Sequence, residues 1–166
     1  MTEFTTADLC DENEGVQIAQ PIFKIYGHNK IFSGKIRTVK VFEDNSLVKE
    51  LVNEIVEGDV MVVDGGGSLN CSLLGDNLAK TASQNGWAGF VINGCIRDSQ
   101  IIDNIPLGIK ALNTCPKKSK KDNQGNYDVE VKFAGIIFKK DMYVSVSYTH
   151  LRAHETEADL VCRLLL

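Results

Sequence analysis

The side chains in this sequence best suited to chemistry are Asp76 and the adjacent pair Arg97-Asp98. Aspartate is a hard oxygen ligand suited to Mg²⁺ or Mn²⁺. The planar fork of arginine suits a carboxylate or an enolate-like oxygen. Each also has a plainer reading. Arg97-Asp98 as an exposed ion pair would contribute roughly 0–1 kcal/mol to stability. Asp76 or Asn77 would cap a helix running to the Asn85-Gly86 stop. In the functional reading of the same helix start, Gly75-Asp76-Asn77-Leu78, the free amides of Asn77 and Leu78 hold a substrate carboxylate while Asp76 faces a cation. Residue types alone leave these alternatives open.

Other stretches carry weaker signals. Asp64-Gly65-Gly66-Gly67-Ser68 follows an apolar run, where glycines let amides approach an anion. It lacks a following Lys-Ser/Thr and the GxGxxG spacing, so the alternative is a tight, closely packed turn. The lysines of the segment Pro116 to Gly125 (Lys117, Lys118, Lys120, Lys121) read as a solvated loop. His150 and His154 lie four apart with Glu155 and Asp159 beyond, but the pattern is not HExxH and it falls in a tail unlike the rest. His28 reads as a loop histidine.

The elements that must position Asp76 and Arg97-Asp98 are legible in the apolar pattern. Val60 to Val63 and Phe90 to Ile92 are short apolar runs bounded by turn signals, with a helical segment between them. They predict a βαβ unit with buried strands. Loops at the carboxyl ends of such strands are where open α/β sheets bind ligands, which places all three residues near one cleft. Before this unit, Thr5 to Glu14 predicts a short helix with Thr6 as N-cap. Phe23 to Tyr26 and Lys35 to Phe42 predict strands around a Gly34 turn. Asn45 predicts the cap of a helix whose apolar face runs from Leu47 to Ile55 and which stops at Gly58. After the unit, Asp98 to Asn104 predicts a helical turn and Ile109 to Leu112 a strand. Alternation from Tyr127 to Phe133 predicts a half-buried strand, returned by Ala134-Gly135 into Ile136 to Phe138. Tyr143 to Tyr148 continues as strand, whereas Thr149 to Leu166 switches to a helical pattern.

Composition narrows the class. At 166 residues with a net charge of -4, the chain predicts one domain with a real core and no nucleic-acid footprint. Five cysteines without a CxxC pair or zinc spacing predict reduced thiols in an intracellular protein. No apolar stretch is long enough to span a bilayer and no cationic leader is visible, so the cytoplasm is the expected compartment.

The string VVDGGGSLNCSLLGDNLAKTASQNGWAGFVINGCIRD resembles the RraA-like family. That family includes the regulators of ribonuclease activity A and the 4-hydroxy-4-methyl-2-oxoglutarate aldolases. The likeness extends from about Thr5 (TTADLCDEN) through QPIFKIYGHNKIFSGKIRTVKVFEDN to FAGIIFKKDMYV, nearly the whole chain before the tail. Its aldolases are distinguished by an Asp followed, after twenty residues, by Arg-Asp, and Asp76 to Arg97-Asp98 has that spacing. The resemblance implies a compact α/β domain of swivelling β/β/α type over residues 1–144, assembled as a trimeric ring or a hexamer. It implies a class II, divalent-metal-dependent aldolase that releases pyruvate, with oxaloacetate decarboxylase activity beside it. Gly75, Asp76, Asn77, Leu78 and Arg97 would bind the pyruvyl group, Asp98 would hold Mg²⁺ or Mn²⁺, and Asp76 would orient a water. The competing implication is a non-enzymatic protein that binds and inhibits an RNA-processing ribonuclease. Residues 145–166 depart from the family's closing strand and resemble translated sequencing-adapter sequence, so an artefactual terminus is expected there.

Overall fold

Apolar β-branched runs form the centre of the molecule, and the rest of the chain packs on their two faces. The computed structural model describes residues 6–147 and the backbone of residues 151–154. Helix α1 (Thr6–Asp11) opens the described chain, followed by short strands β1 (Gln17–Ile18) and β2 (Lys24–Tyr26). Next come β3 (Phe32–Lys40), α2 (Ser46–Leu51), β4 (Val60–Asp64) and β5 (Ser72–Leu74). Helix α3 (Asp76–Gln84) leads into β6 (Gly89–Ile96), α4 (Ser99–Ile102) and β7 (Gly108–Thr114). The chain closes with β8 (Asn126–Tyr127), β9 (Val131–Phe133), β10 (Ile136–Phe138), β11 (Tyr143–Val146) and β12 (Leu151–His154).

The main sheet runs β1-β12-β11-β3-β4-β6-β7-β2, with β5 added against β6 and β8 against β3. Its centre is parallel, β3 on β4, β4 on β6 and β6 on β7. The expected βαβ unit is therefore present as β4-α3-β6, with β5 inserted before the helix. Strand alternation divides the core in two. Met61, Val63, Phe90 and Ile92 face α2, α3 and α4 through Leu47, Val48, Ala79, Ala82 and Ile102. Val60, Val62 and Val91 face the other way, onto the β9-β10 hairpin and β11. Covering both faces explains why β4 is buried at every position and reads as a continuous apolar run. The result is a β/β/α layering. No helix among the described residues is long and apolar enough to cross a membrane.

Several expectations are corrected. Gly34 is not a turn but lies inside β3, where an added Cβ would come 2.0 Å from the Gly58 carbonyl oxygen. The glycine serves close backbone approach, which a sequence pattern reads equally as a turn. Helix α2 ends at Leu51, well before Gly58, and Ile55 is 86% exposed rather than on the buried face. Thr6 is the first helical residue rather than its cap, and its Oγ1 hydrogen-bonds Ser147 Oγ at 2.9 Å. The strand expected from Tyr127 to Phe133 breaks at Asp128, which adopts φ 53°. There the Asp128 amide donates to the Thr38 carbonyl at 2.9 Å and its carboxylate accepts Arg37 Nε at 3.0 Å, and the chain passes from pairing with β3 to pairing with β10. The Ala134-Gly135 return is present as a tight turn with φ 52° and 76° joining β9 to β10. In the tail, Leu151–His154 is strand rather than helix and pairs antiparallel with both β11 and β1. His150, Glu155 and Asp159 lie outside the described residues.

Candidate active site

The site forms where β5, β6 and β7 end. Helix α3 starts directly after β5, with Gly75 rather than Asp76 or Asn77 as its N-cap and no side-chain capping bond. The first amide to donate back into the helix is that of Ala79, to the Gly75 carbonyl at 3.0 Å. The amides of Asp76, Asn77 and Leu78 precede it and have no backbone acceptor in the helix, and that of Asn77 is turned to the Asp76 carboxylate; such an edge suits an anion. Arg97 reaches this edge because its own amide donates to the Leu74 carbonyl at 3.0 Å, locking the end of β6 beside β5. A Cβ on Gly75 would lie 3.2 Å from both Arg97 Nε and Asp98 Oδ2. Glycine is what lets these two charged groups approach the helix start.

Gly75, Asp76, Asn77, Leu78 and Arg97 line one cavity of about 310 Å³. Asp98 faces an adjoining hollow of about 480 Å³ together with Cys115 and Ile101. The pair Arg97-Asp98 is joined at 3.5 Å, each side chain about one-third exposed. Asp98 sits at φ 54°, ψ 36°, a left-handed conformation that aspartate tolerates better than most residues. Backbone strain of this kind gathers at functional sites. Asp76 Oδ2 accepts Lys80 Nζ at 2.8 Å. The Lys80 ammonium is the main influence holding the Asp76 carboxyl below the usual range; burial opposes it, and the Asn77 amide and Asp98 carboxyl add to it. Asp76 and Asp98 are thus neighbouring carboxylates on either side of Gly75. Among the described residues no group of three or more His, Cys, Asp or Glu side chains is placed to hold a metal ion. The donor set present fits a magnesium-type ion, which binds through one or two carboxylates and fills its remaining positions with water or substrate oxygen.

The glycine-rich loop takes no part. Gly65 and Gly67 amides both donate to the Asn93 carbonyl at 3.1 Å, and the Gly66 amide donates to Asp64 Oδ1 at 3.0 Å. Its donors are consumed internally, so the tight-turn reading of Asp64 to Ser68 holds. The lysine-bearing segment is the opposite case. Its side chains are solvated, as expected, yet Lys118, Ser119 and Lys121 form one wall of the cavity, with Asn45 and Lys49 from α2's start beside them. Asn45 Oδ1 and Ser119 Oγ are buried without a partner among the described residues. The lysine run was the only signal in the sequence for this wall, and a run of charges on a loop ordinarily means solvent.

The RraA-like model, described as Aldolase/RraA, matches residues 6–146. The chain belongs to the RraA-like family. A Dechloromonas aromatica protein provisionally named 4-hydroxy-4-methyl-2-oxoglutarate aldolase is 49% identical over 146 residues, covering 85% of this chain and 90% of that one. Among solved structures, the RNA-processing inhibitor RraA from Thermus thermophilus superposes with a TM-score of 0.85 at 40% identity, covering 94% of each chain. The Geobacillus kaustophilus structure described as S-adenosylmethionine:2-dimethylmenaquinone methyltransferase gives 0.91 at 43% identity, covering 93% and 96%. One fold thus carries three different functional names, and function has to be argued from the site.

Proposed function

We propose that this RraA-like chain is a divalent-metal-dependent lyase that cleaves 4-hydroxy-4-methyl-2-oxoglutarate to pyruvate and also decarboxylates oxaloacetate. The observation that carries this reading is the convergence of the α3 amide edge, Arg97 and the Asp76/Asp98 carboxylates about Gly75. A pyruvyl group presents a carboxylate and an adjacent keto oxygen, and the site offers a partner for each. The amides of Asn77 and Leu78 hold the carboxylate. Arg97 stabilises the enolate oxygen that develops as the C–C bond breaks, an interaction strongest in the transition state. Asp98 would hold the cation, with Asp76 beside it. A cation held there would supply Lewis-acid polarisation to the bound pyruvyl group. Asp76, kept ionised by Lys80, takes up the proton of the substrate's 4-hydroxyl through a water as the C3–C4 bond breaks, and returns it to C3 of the enolate, so that both fragments leave as pyruvate. Oxaloacetate yields the same enolate when it loses CO₂, so the two activities should travel together. Names borne by relatives at nearly half identity support the aldolase assignment.

The chain is further expected to work in the cytoplasm as a homo-oligomer, trimer or hexamer. Ile101, 48% exposed beside Asp98, is an apolar contact available to a neighbouring subunit. Sedimentation of the full chain as a monomer would remove that part of the reading. A second function is favoured by the likeness to the Thermus RNA-processing inhibitor: binding and restraint of a ribonuclease. Assays of pyruvate release from both substrates, with Mg²⁺, with excess EDTA and in Asp98→Ala, separate the two. Release that needs the metal and Asp98 supports the lyase. Undiminished release in EDTA sinks the metal mechanism, and no release from folded oligomer, with capture of a ribonuclease, favours the inhibitor.

A further inference from the structure

The basic wall of the cavity has no apolar anchor. From residue 116 to residue 125 no side chain is buried, and only Ser119 is partly so. Its position must come from polar tethers. At its start, Ser72 donates to the Lys117 carbonyl through both its amide (2.9 Å) and its hydroxyl (3.2 Å). At its end the tethers gather on one residue, Asp44, which is 2% exposed and does not line the cavity. Asp44 Oδ2 accepts the amides of Asp122 at 2.7 Å and Gln124 at 3.4 Å. Asp44 Oδ1 accepts the Ser46 amide at 2.8 Å and hydroxyl at 2.6 Å, and the Ser46 oxygen in turn accepts the Asn123 amide at 3.2 Å. The Asp44 carboxylate therefore ties the end of the segment to the start of α2, beside two backbone bonds at its middle, the Lys120 amide to the Glu43 carbonyl at 2.8 Å and the Asn45 amide to the Lys120 carbonyl at 3.3 Å.

We propose that Asp44 is a positioning residue for substrate: its buried carboxylate holds residues 117–124 as a strap, so that Lys118, Ser119 and Lys121 stand across the cavity from the α3 amide edge. This role rests on the lyase reading of the cavity. A buried carboxylate accepting several amides is a rigid tether, because each bond is charge-assisted and releasing any of them leaves an ion short of partners. Burial alone would raise the Asp44 carboxyl, but the Ser46 bonds and the Asp122 and Gln124 amides outweigh it and hold it below the usual range. Arg97, Asp76 and Asp98 are positioned by β5, β6 and α3, not by the strap. Loosening the strap should therefore weaken substrate binding and leave the chemical step largely intact.

The test is Asp44→Asn in the full chain, compared with wild type for oxaloacetate decarboxylation and for tryptic cleavage at the strap lysines. Asparagine keeps the size and one acceptor oxygen but turns the other into a donor facing two amides. Expected are faster cleavage after Lys117 to Lys121 and a KM raised about tenfold, with kcat changed by less than about threefold. Faster cleavage with unchanged KM, or equal losses in kcat and kcat/KM, would overturn the positioning role. So would cleavage no faster than wild type. A wild-type chain without metal-dependent release would remove the lyase reading and this role with it. A turning-over wild type beside an Asp44→Asn variant of unchanged KM removes only the role of Asp44.

Discussion

Arg97 illustrates how a side chain is judged by its surroundings. In the sequence it is half of an adjacent ion pair worth little; in the fold its guanidinium stands against Gly75 and lines the cavity. In the proposed reaction the planar Arg97 fork meets the developing enolate oxygen, which a lysine ammonium would approach differently, so Arg97→Lys should lower kcat for pyruvate release about 10²-fold with a smaller effect on KM. Steady-state kinetics on oxaloacetate check this, and a KM-only effect would reduce Arg97 to a ground-state contact. Lys110 is a second case, away from the site. It is 4% exposed on β7 between Ile25 and Val91, with no hydrogen-bond or ion-pair partner among the described residues. Burial pushes its ammonium below the ordinary lysine value of 10.5. The unfolded chain then binds the proton more tightly than the folded one, so this residue's penalty is full below the folded value and fades as pH rises toward the unfolded one. Lys110→Met should stabilise the fold by about 1–3 kcal/mol at pH 7 and by progressively less at alkaline pH. Urea titrations of both proteins across that range would show it, and a constant difference would mean the ammonium is not the cause.

Among the elements, β3 shows what pattern reading misses. Its apolar positions Ile36, Val39 and the buried Thr38 mark it as a strand, but Gly34 within it looks like a boundary. The reason for the glycine is the Gly58 carbonyl across the sheet, which has no trace near residue 34 in the sequence. Gly34→Ala should therefore cost about 2–4 kcal/mol, since the obstacle is backbone and cannot turn aside. A melting temperature within a degree or two of wild type would show that the 58 turn yields instead. Helix α2 makes the complementary point. Its apolar spacing Leu47, Val48, Leu51 is correct, and continuing the count to Ile55 over-extends it, because the chain leaves the helix to place Val56 and Gly58 against Asn85 and Gly86.

At the scale of the whole molecule, the two-sided core makes the site a rigid rim on a packed sheet. A cation that binds only the folded state should then raise the melting temperature with concentration, following RT ln(1 + [L]/Kd). With Mg²⁺ at about 100 times Kd the gain is about 2.7 kcal/mol, and it should vanish in Asp98→Ala. Differential scanning calorimetry reads this without any turnover. An equal shift in the variant would place the ion elsewhere.

Much of the protein was legible without coordinates. Buried parallel strands announce themselves as unbroken apolar runs, so β4 and β6 and the helix between them followed from Val60 to Val63 and Phe90 to Ile92. The string from Val62 to Asp98 carried the family, and the spacing of Asp76 from Arg97-Asp98 carried the candidate chemistry, since it spans one helix and one strand, α3 and β6, that return the chain to the same end of the sheet. What only the tertiary structure decided are contacts between segments distant in the chain. Examples are the Gly34–Gly58 approach, the Asp128–Arg37 pair at the point where a strand breaks, and the Asp44 tether on the lysine loop that forms a wall. Local pattern records which face of an element is apolar. It holds no record of which polar group will find which partner across the sheet, since one well-placed hydrogen bond leaves no periodicity behind.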